Sequence, residues 1–190
     1  MAVEARGTLD NSKGYVEART KRDFNRNGLK NITQWKQTAL DMLLSNEQLL
    51  KALYYNVEDW HNKPNLTDEQ KHGMIGENIY PYRFISQIGE KKKSYISMDI
   101  ANFVPLEEFR LFSNDYIHGY LYFYILVDFG IMMTDMGVRS DIIVGLIYDT
   151  FQKRKDIGMG ELNMETTLPL WTDNNHYGGY TIGFKVSEMT

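Results

Sequence analysis

The 190-residue sequence predicts an α+β fold. N-terminal helices should precede a four-stranded antiparallel or mixed sheet, in the order strand, strand, helix, strand, strand, covered by one main helix. Three observations carry this. Helix-start signals cluster in the first half, and at Tyr95 the apolar period changes from helical to two-residue spacing. Between Ile117 and Phe151 an aromatic alternating strand, a glycine-bearing turn and an amphipathic helix then follow without a break.

Residues 1–30 read as an extended arm. Gly7, Asn11, Gly14, Asn25, Asn27 and Gly28 interrupt any period, and Arg6, Lys13, Arg19, Lys21, Arg22, Arg26 and Lys30 outnumber Glu4, Asp10, Glu17 and Asp23. The whole chain carries a net charge of −4, so a basic arm precedes an acidic body. Residues 31–190 are expected to form a single domain, with a helical lobe over 31–90 and a sheet-and-helix core over 94–187.

The lobe opens with Asn31 as N-cap and Gln34 three residues on, ahead of Trp35, Ala39, Met42 and Leu43 on one helical face. Ser45 and Gln48 repeat the signature for a second helix carrying Leu49, Leu50, Leu53 and Tyr54, and residues 60–64 read as a loop. Thr67 and Gln70 start a third, short helix that ends near Gly73 or Gly76. Pro81 and Gly89 mark 78–90 as an extended connector.

In residues 95–103, Ile96, Met98 and Ile100 alternate with Ser97, Asp99 and Ala101, the pattern of a half-exposed strand closed by Pro105. Residues 117–129 are apolar or aromatic on both faces, which predicts a central or doubly covered strand. The main helix starts at Ser140, with Ile142, Ile143, Leu146, Ile147, Thr150 and Phe151 at helical spacing, Asp141 in its first turn and Lys153, Arg154 and Lys155 at its end. Residues 161–171 and 178–187 give the last two strands, joined by a turn over 172–177.

Few kinds of chemistry survive inspection. With no cysteine there is no disulfide, thiolate metal site or cysteine nucleophile. The longest nearly continuous apolar run, 120–127, is too short to span a bilayer as a helix, and the N-terminal stretch lacks an apolar signal segment. His61, His72, His118 and His176 lack metal-ligand spacing, and no G-x-S-x-G elbow exists. Asp99, Asp128, Asp135 and Asp141 make a possible carboxylate set for a metal-dependent nuclease, but Asp141 suits the helix dipole, Asp99 a solvent face and Asp128 a strand end. Gly158-Met159-Gly160 lacks the Lys-Ser/Thr pair and following helix of a phosphate loop. Arg19, Lys21, Arg22 and Arg26, interleaved with Tyr15 and Phe24, form the charge-and-stacking mixture of single-strand binders, against which the acidic body argues. The 13 tyrosines and 10 methionines read as core plus interface. No cofactor is expected.

The run Ile117-His118-Gly119-Tyr120-Leu121-Tyr122-Phe123 up to Val127-Asp128 is followed by Gly137-Val138-Arg139-Ser140-Asp141-Ile142-Ile143, the Gly160 strand and Gly178-Gly179-Tyr180-Thr181-Ile182-Gly183-Phe184. This succession, spanning roughly Tyr95 to Val186, resembles the tail-terminator and neck proteins of tailed bacteriophages. The resemblance implies a non-enzymatic virion component, synthesised in the host cytoplasm. It would form a homo-oligomeric ring, expected to be hexameric, that ends the tail tube and docks to the neck or connector while DNA passes through its lumen without specific binding. On that reading Arg19, Lys21, Arg22, Phe24, Arg26 and Arg139 are the expected assembly contacts, with a local cap or surface salt bridge as the plain alternative for Arg139. Two other classes stay open: a nucleic-acid-binding accessory protein that uses the basic arm, and an enzyme with a site between the helical lobe and the sheet.

Overall fold

The computed structural model describes residues 28–84, 92–105, 116–171 and 176–189. The arm up to residue 27, and with it Arg19, Lys21, Arg22, Phe24 and Arg26, lies outside the described residues. So do residues 85–91 of the connector and 172–175 of the last turn.

A 3-10 turn, Gly28–Asn31, runs directly into α1 (Ile32–Ser45), and one residue separates α1 from α2 (Glu47–Tyr54). The capping box expected at Asn31 is not made: Asn31 is itself helical and its side chain caps nothing, so the turn before it takes the place of a cap. The second break falls one residue later than the Ser45 and Gln48 pattern places it. Asn46 is the extended residue, and its Oδ1 accepts from the Leu49 amide at 3.1 Å. Its Nδ2 donates to Thr150 Oγ1 at 2.8 Å, tying the helix pair to the main helix. Thr67 and Gln70 do form a reciprocal box opening α3 (Asp68–Gly73). The 60–64 loop contains a 3-10 turn, Trp60–Asn62, whose tryptophan is buried.

The sheet has five strands rather than the expected four. Within the connector, β1 (Ile79–Tyr80) runs parallel to β2 (Ser94–Pro105) and pairs with its Ile96 and Ser97. Both β1 residues are buried, and Pro81 next to them hid so short a strand from a periodicity reading. β3 (Tyr116–Asp128) is central, and a small hairpin of β4 (Met133–Thr134) and β5 (Gly137–Val138) follows it. Then come α4 (Arg139–Phe151), β6 (Asn163–Trp171) and β7 (Tyr177–Met189). The strand order is β1-β2-β3-β7-β6, and every pairing except β1 with β2 is antiparallel, so the sheet is mixed.

One face of the sheet receives the helices. Leu121, Phe123, Ile125 and Val127 of β3 share a core with Leu43 of α1, Leu49, Leu50 and Leu53 of α2, and Ile143, Ile147 and Phe151 of α4. Side chains this fully buried contribute about 1.5–3 kcal/mol each to the fold. Phe123, Phe151 and Phe184 knit sheet to helix, with ring centroids 4.7, 5.8 and 6.1 Å apart. Gly119 is required where the Phe103 ring crosses β3, since a Cβ there would lie 2.7 Å from that ring. Phe103 in turn lies 6.4 Å from Trp35 of α1.

The opposite face is only partly covered, and here β2 departs from its half-exposed expectation. Ser94 to Met98 are buried on both sides because Tyr80 and Phe84, stacked at 3.9 Å, fold over the face away from the helices. With Tyr95, Leu126 and Tyr177 they form a small second core, and Ser97 Oγ donates to the Phe84 carbonyl at 3.2 Å. Farther along β3, Tyr120, Tyr122 and Tyr124 form a half-buried ladder with centroid spacings of 5.6 and 6.2 Å.

Candidate functional site

Arg139, expected on a contact surface, is 0% exposed and occupies the interior. Its Nε donates to the Ile131 carbonyl at 2.9 Å. Its Nη1 donates to the carbonyls of Ala52 at 2.9 Å and Tyr55 at 2.7 Å, and its Nη2 to that of Val57 at 2.6 Å. The bonds to Ala52 and Tyr55 satisfy backbone that α2 leaves open at its C-terminus, where the last carbonyls lack intrahelical donors and carry the negative end of the helix dipole. Lys51 O takes the Tyr55 amide, Ala52 O takes Arg139, and Leu53 O takes Asn78 Nδ2 at 3.0 Å. Burial draws the guanidinium from its ordinary value down to about 10, which leaves it a cation at neutral pH. Arg139 therefore clasps the helical lobe to the β3–β4 junction, and the sequence-level alternatives of surface contact, surface salt bridge and ordinary cap all give way to this interior role.

The clasp fixes one end of the molecule. Arg139 N donates to Met132 O at 2.8 Å, and Asp135 N donates to Glu58 O at 3.3 Å, so the 57–58 loop and the β4–β5 hairpin lie side by side. Phe129, in the 3-10 turn Phe129–Ile131, packs over Gly178 at 2.8 Å from where a Cβ would sit, and Gly178 is paired with Trp171. Five large apolar side chains are exposed there: Val57, Phe129, Met133 at 64%, Met136, and Trp171 at 65%. Clustered apolar exposure of this kind marks interaction surfaces, whereas scattered single residues do not. Glu58, Asp128 and Asp135 border the patch and make no ion pair with a described residue. Asp59 beside them is held below the usual carboxylate range by the hydrogen bond from Lys63.

The carboxylates considered for metal chemistry are dispersed. Asp99 pairs with Lys36 at 3.0 Å, Asp128 accepts from the Gly130 amide at 2.7 Å, and Asp135 sits in the hairpin turn. Asp141 takes the Ser140 hydroxyl at 3.1 Å and raises the Tyr180 phenol above its ordinary range, first through its charge and then through a hydrogen bond. Among the described residues no three His, Asp or Glu side chains converge to hold a metal ion. An open cleft of about 480 Å³ lies between the end of α1, the start of α2 and the end of α4, with Glu47, Asp149 and Arg154 on its walls. Glu47 is already paired with Lys71 and Arg154 with Asp156. No described helix is long and apolar enough to cross a membrane.

The family model YomW matches residues 46–186. The chain belongs to the YomW family. The matched span begins at the N-cap of α2 and ends in β7, so it takes in Arg139, its four carbonyl partners and the apolar end of the sheet. The phage-type name of YomW suggests a phage-associated protein. No curated protein and no solved structure matches the chain.

The apolar end was the part of the site that sequence reasoning missed. Phe129, Met133, Met136 and Trp171 belong to three separate elements, and only the pairing of Trp171 with Gly178 and the Arg139 clasp bring them together. A signal did exist in the sequence: Met132-Met133 and Met136 bracket a turn, where apolar residues have no local reason to be.

Proposed function

We propose that this YomW-family protein is a non-enzymatic structural component of a phage particle. It assembles into a ring at the head–tail junction, where it ends the tail tube and docks to the neck or connector. The observation that carries the reading is the exposed apolar end of the sheet, held rigid by the Arg139 clasp and bordered by acidic side chains. Adhesive surfaces on rigid scaffolds are what subunit assembly uses. A single kind of patch meeting a different surface on the next copy gives a head-to-tail contact, which closes into a ring when the rotation permits. An acidic body suits a conduit through which DNA slides, because like charges do not retain phosphates.

The test is native mass spectrometry of the full chain over a wide concentration range, alone and with purified tail tubes, paired with negative-stain imaging. A closed multimer with a central opening is the expected result. A protein that stays monomeric under all these conditions sinks the proposal.

A further inference from the structure

We infer that the apolar, acid-bordered end of the sheet receives the N-terminal arm of a neighbouring copy, with Phe24 entering among Val57, Phe129, Met133, Met136 and Trp171. The inference rests on the ring reading and specifies the contact that would build it.

Charge and reach select this occupant. Around Phe24 the arm carries Arg19, Lys21, Arg22 and Arg26 against Asp23 alone, while the patch is bordered by Glu58, Asp128 and Asp135, with Lys92 the nearby exception at Gly130. An aromatic side chain flanked by cations suits an apolar surface flanked by carboxylates.

Reach then decides between the same chain and another. The arm joins the fold at Gly28, just ahead of α1, whose Trp35 packs near Phe103 and hence near Gly119 at the beginning of β3. The patch lies past the other end of β3, beyond Asp128. From Gly119 to Asp128 that strand covers roughly 30 Å, and the patch lies beyond it. Phe24 is tethered four residues from Gly28, which allows roughly 14 Å at full extension, about half of that distance. Phe24 therefore falls short of the patch on its own subunit and fits that of a subunit set head to tail beside it. The root of the arm and its receptor lie at opposite ends of the sheet, as a heterologous, ring-forming contact requires.

The absence of native cysteine makes the test clean. Full-length Phe24→Cys is mixed with full-length Met133→Cys and oxidised mildly. As a control, Phe24→Cys is mixed with Met159→Cys, whose thiol replaces an exposed side chain beside Ser187, at the opposite end of the sheet from the patch. The inference expects linked heterodimers at least tenfold faster for the Met133 pair. It also expects Glu58→Arg with Asp135→Arg to weaken association at least tenfold, and Arg19→Glu, Lys21→Glu and Arg22→Glu on the arm to restore it. If the native mass shows a ring but the Met133 pair links no faster than the control, this contact is overturned and the ring reading stands. A monomer with no linkage overturns both. A Phe24→Cys, Met133→Cys double variant that closes within one chain at high dilution overturns assignment to a neighbour. Arm variants that abolish DNA binding while leaving the native mass unchanged assign the arm to nucleic acid and overturn the contact.

Discussion

Replacing Arg139 is the sharpest test of how this fold is held. In Arg139→Met the carbonyls of Ile131 and Ala52 lose a donor where both partners are buried, while those of Tyr55 and Val57 are near enough to the surface to recover water. An orphaned buried carbonyl costs about 1–3 kcal/mol, so two give about 2–6 kcal/mol, from which relief of the buried cation's desolvation takes back a part. The net expectation is a loss of about 3 kcal/mol. Arg139→Lys keeps a cation that satisfies some of the carbonyls but lacks the planar fork that spans all four, and should lose about 2 kcal/mol. Urea unfolding at 25 °C, with an unchanged slope, measures both. Arg154→Met, which removes an exposed residue paired with Asp156, is the control and should stay within about 0.5 kcal/mol of the parent. If both Arg139 variants match that control, the clasp is not what joins the lobe to the sheet.

The other expectations are local. Thr67→Ala should cost about 1 kcal/mol in the same urea assay because it removes a formed capping box, whereas Asn31→Ala should cost almost nothing because its side chain caps nothing. Gly158→Ala should destabilise by about 2–4 kcal/mol in thermal unfolding, since φ is +68° and a Cβ would lie 2.6 Å from Val186 Cγ1 and 2.7 Å from Ser187 O. Asp141→Asn should lower the Tyr180 titration toward the ordinary tyrosine range, as read by NMR of ring-labelled protein. Because the folded value is raised, the Asp141–Tyr180 contribution to stability is complete below the ordinary tyrosine range and lost as pH rises through the raised value.

Legibility in the sequence followed the range of the forces involved. The long periodic elements were readable because apolar residues repeat along them: the structure places both ends of β3 and the start of α4 within a residue of the expected ones, while α4 stops at Phe151, short of the expected end at Lys153, Arg154 and Lys155, where Lys153 turns to a left-handed φ of 61°. The Thr67–Gln70 cap was readable because both partners lie within one turn. Asn31 matches the same pattern and fails, since a preceding 3-10 turn already supplies helical backbone. β1 was missed because two residues carry no period; its evidence is the partner strand, which lies more than a dozen residues downstream. Arg139 was misplaced for the same reason. An arginine at a helix start is ordinarily a surface residue, and three of the four carbonyls that hold this one come from residues 52, 55 and 57, more than eighty positions away. The Tyr124 environment is similarly non-local: burial raises its phenol, while Arg83, from the strap beyond β1, lies 5.2 Å from the ring and opposes the shift.

Stability and assembly are linked through the clasp. Val57 presents its side chain on the apolar end while its carbonyl accepts from Arg139, and Ile131, another acceptor, sits between Phe129 and Met133 of the same patch. Any variant that loosens the cage therefore frees the 57–58 loop and the hairpin to move apart, and a receptor that must be ordered on binding binds more weakly than one already in place. Arg139→Lys should consequently weaken subunit association even at temperatures where the chain stays fully folded, whereas Phe151→Ala, a core change remote from the patch, should lower stability by about 3–5 kcal/mol and leave association of the folded fraction unchanged. Measuring native mass and unfolding on both variants separates the two effects. Equal losses of association in the two would mean that the apolar end responds only to global stability, and the role given to the clasp in shaping that surface would have to be abandoned.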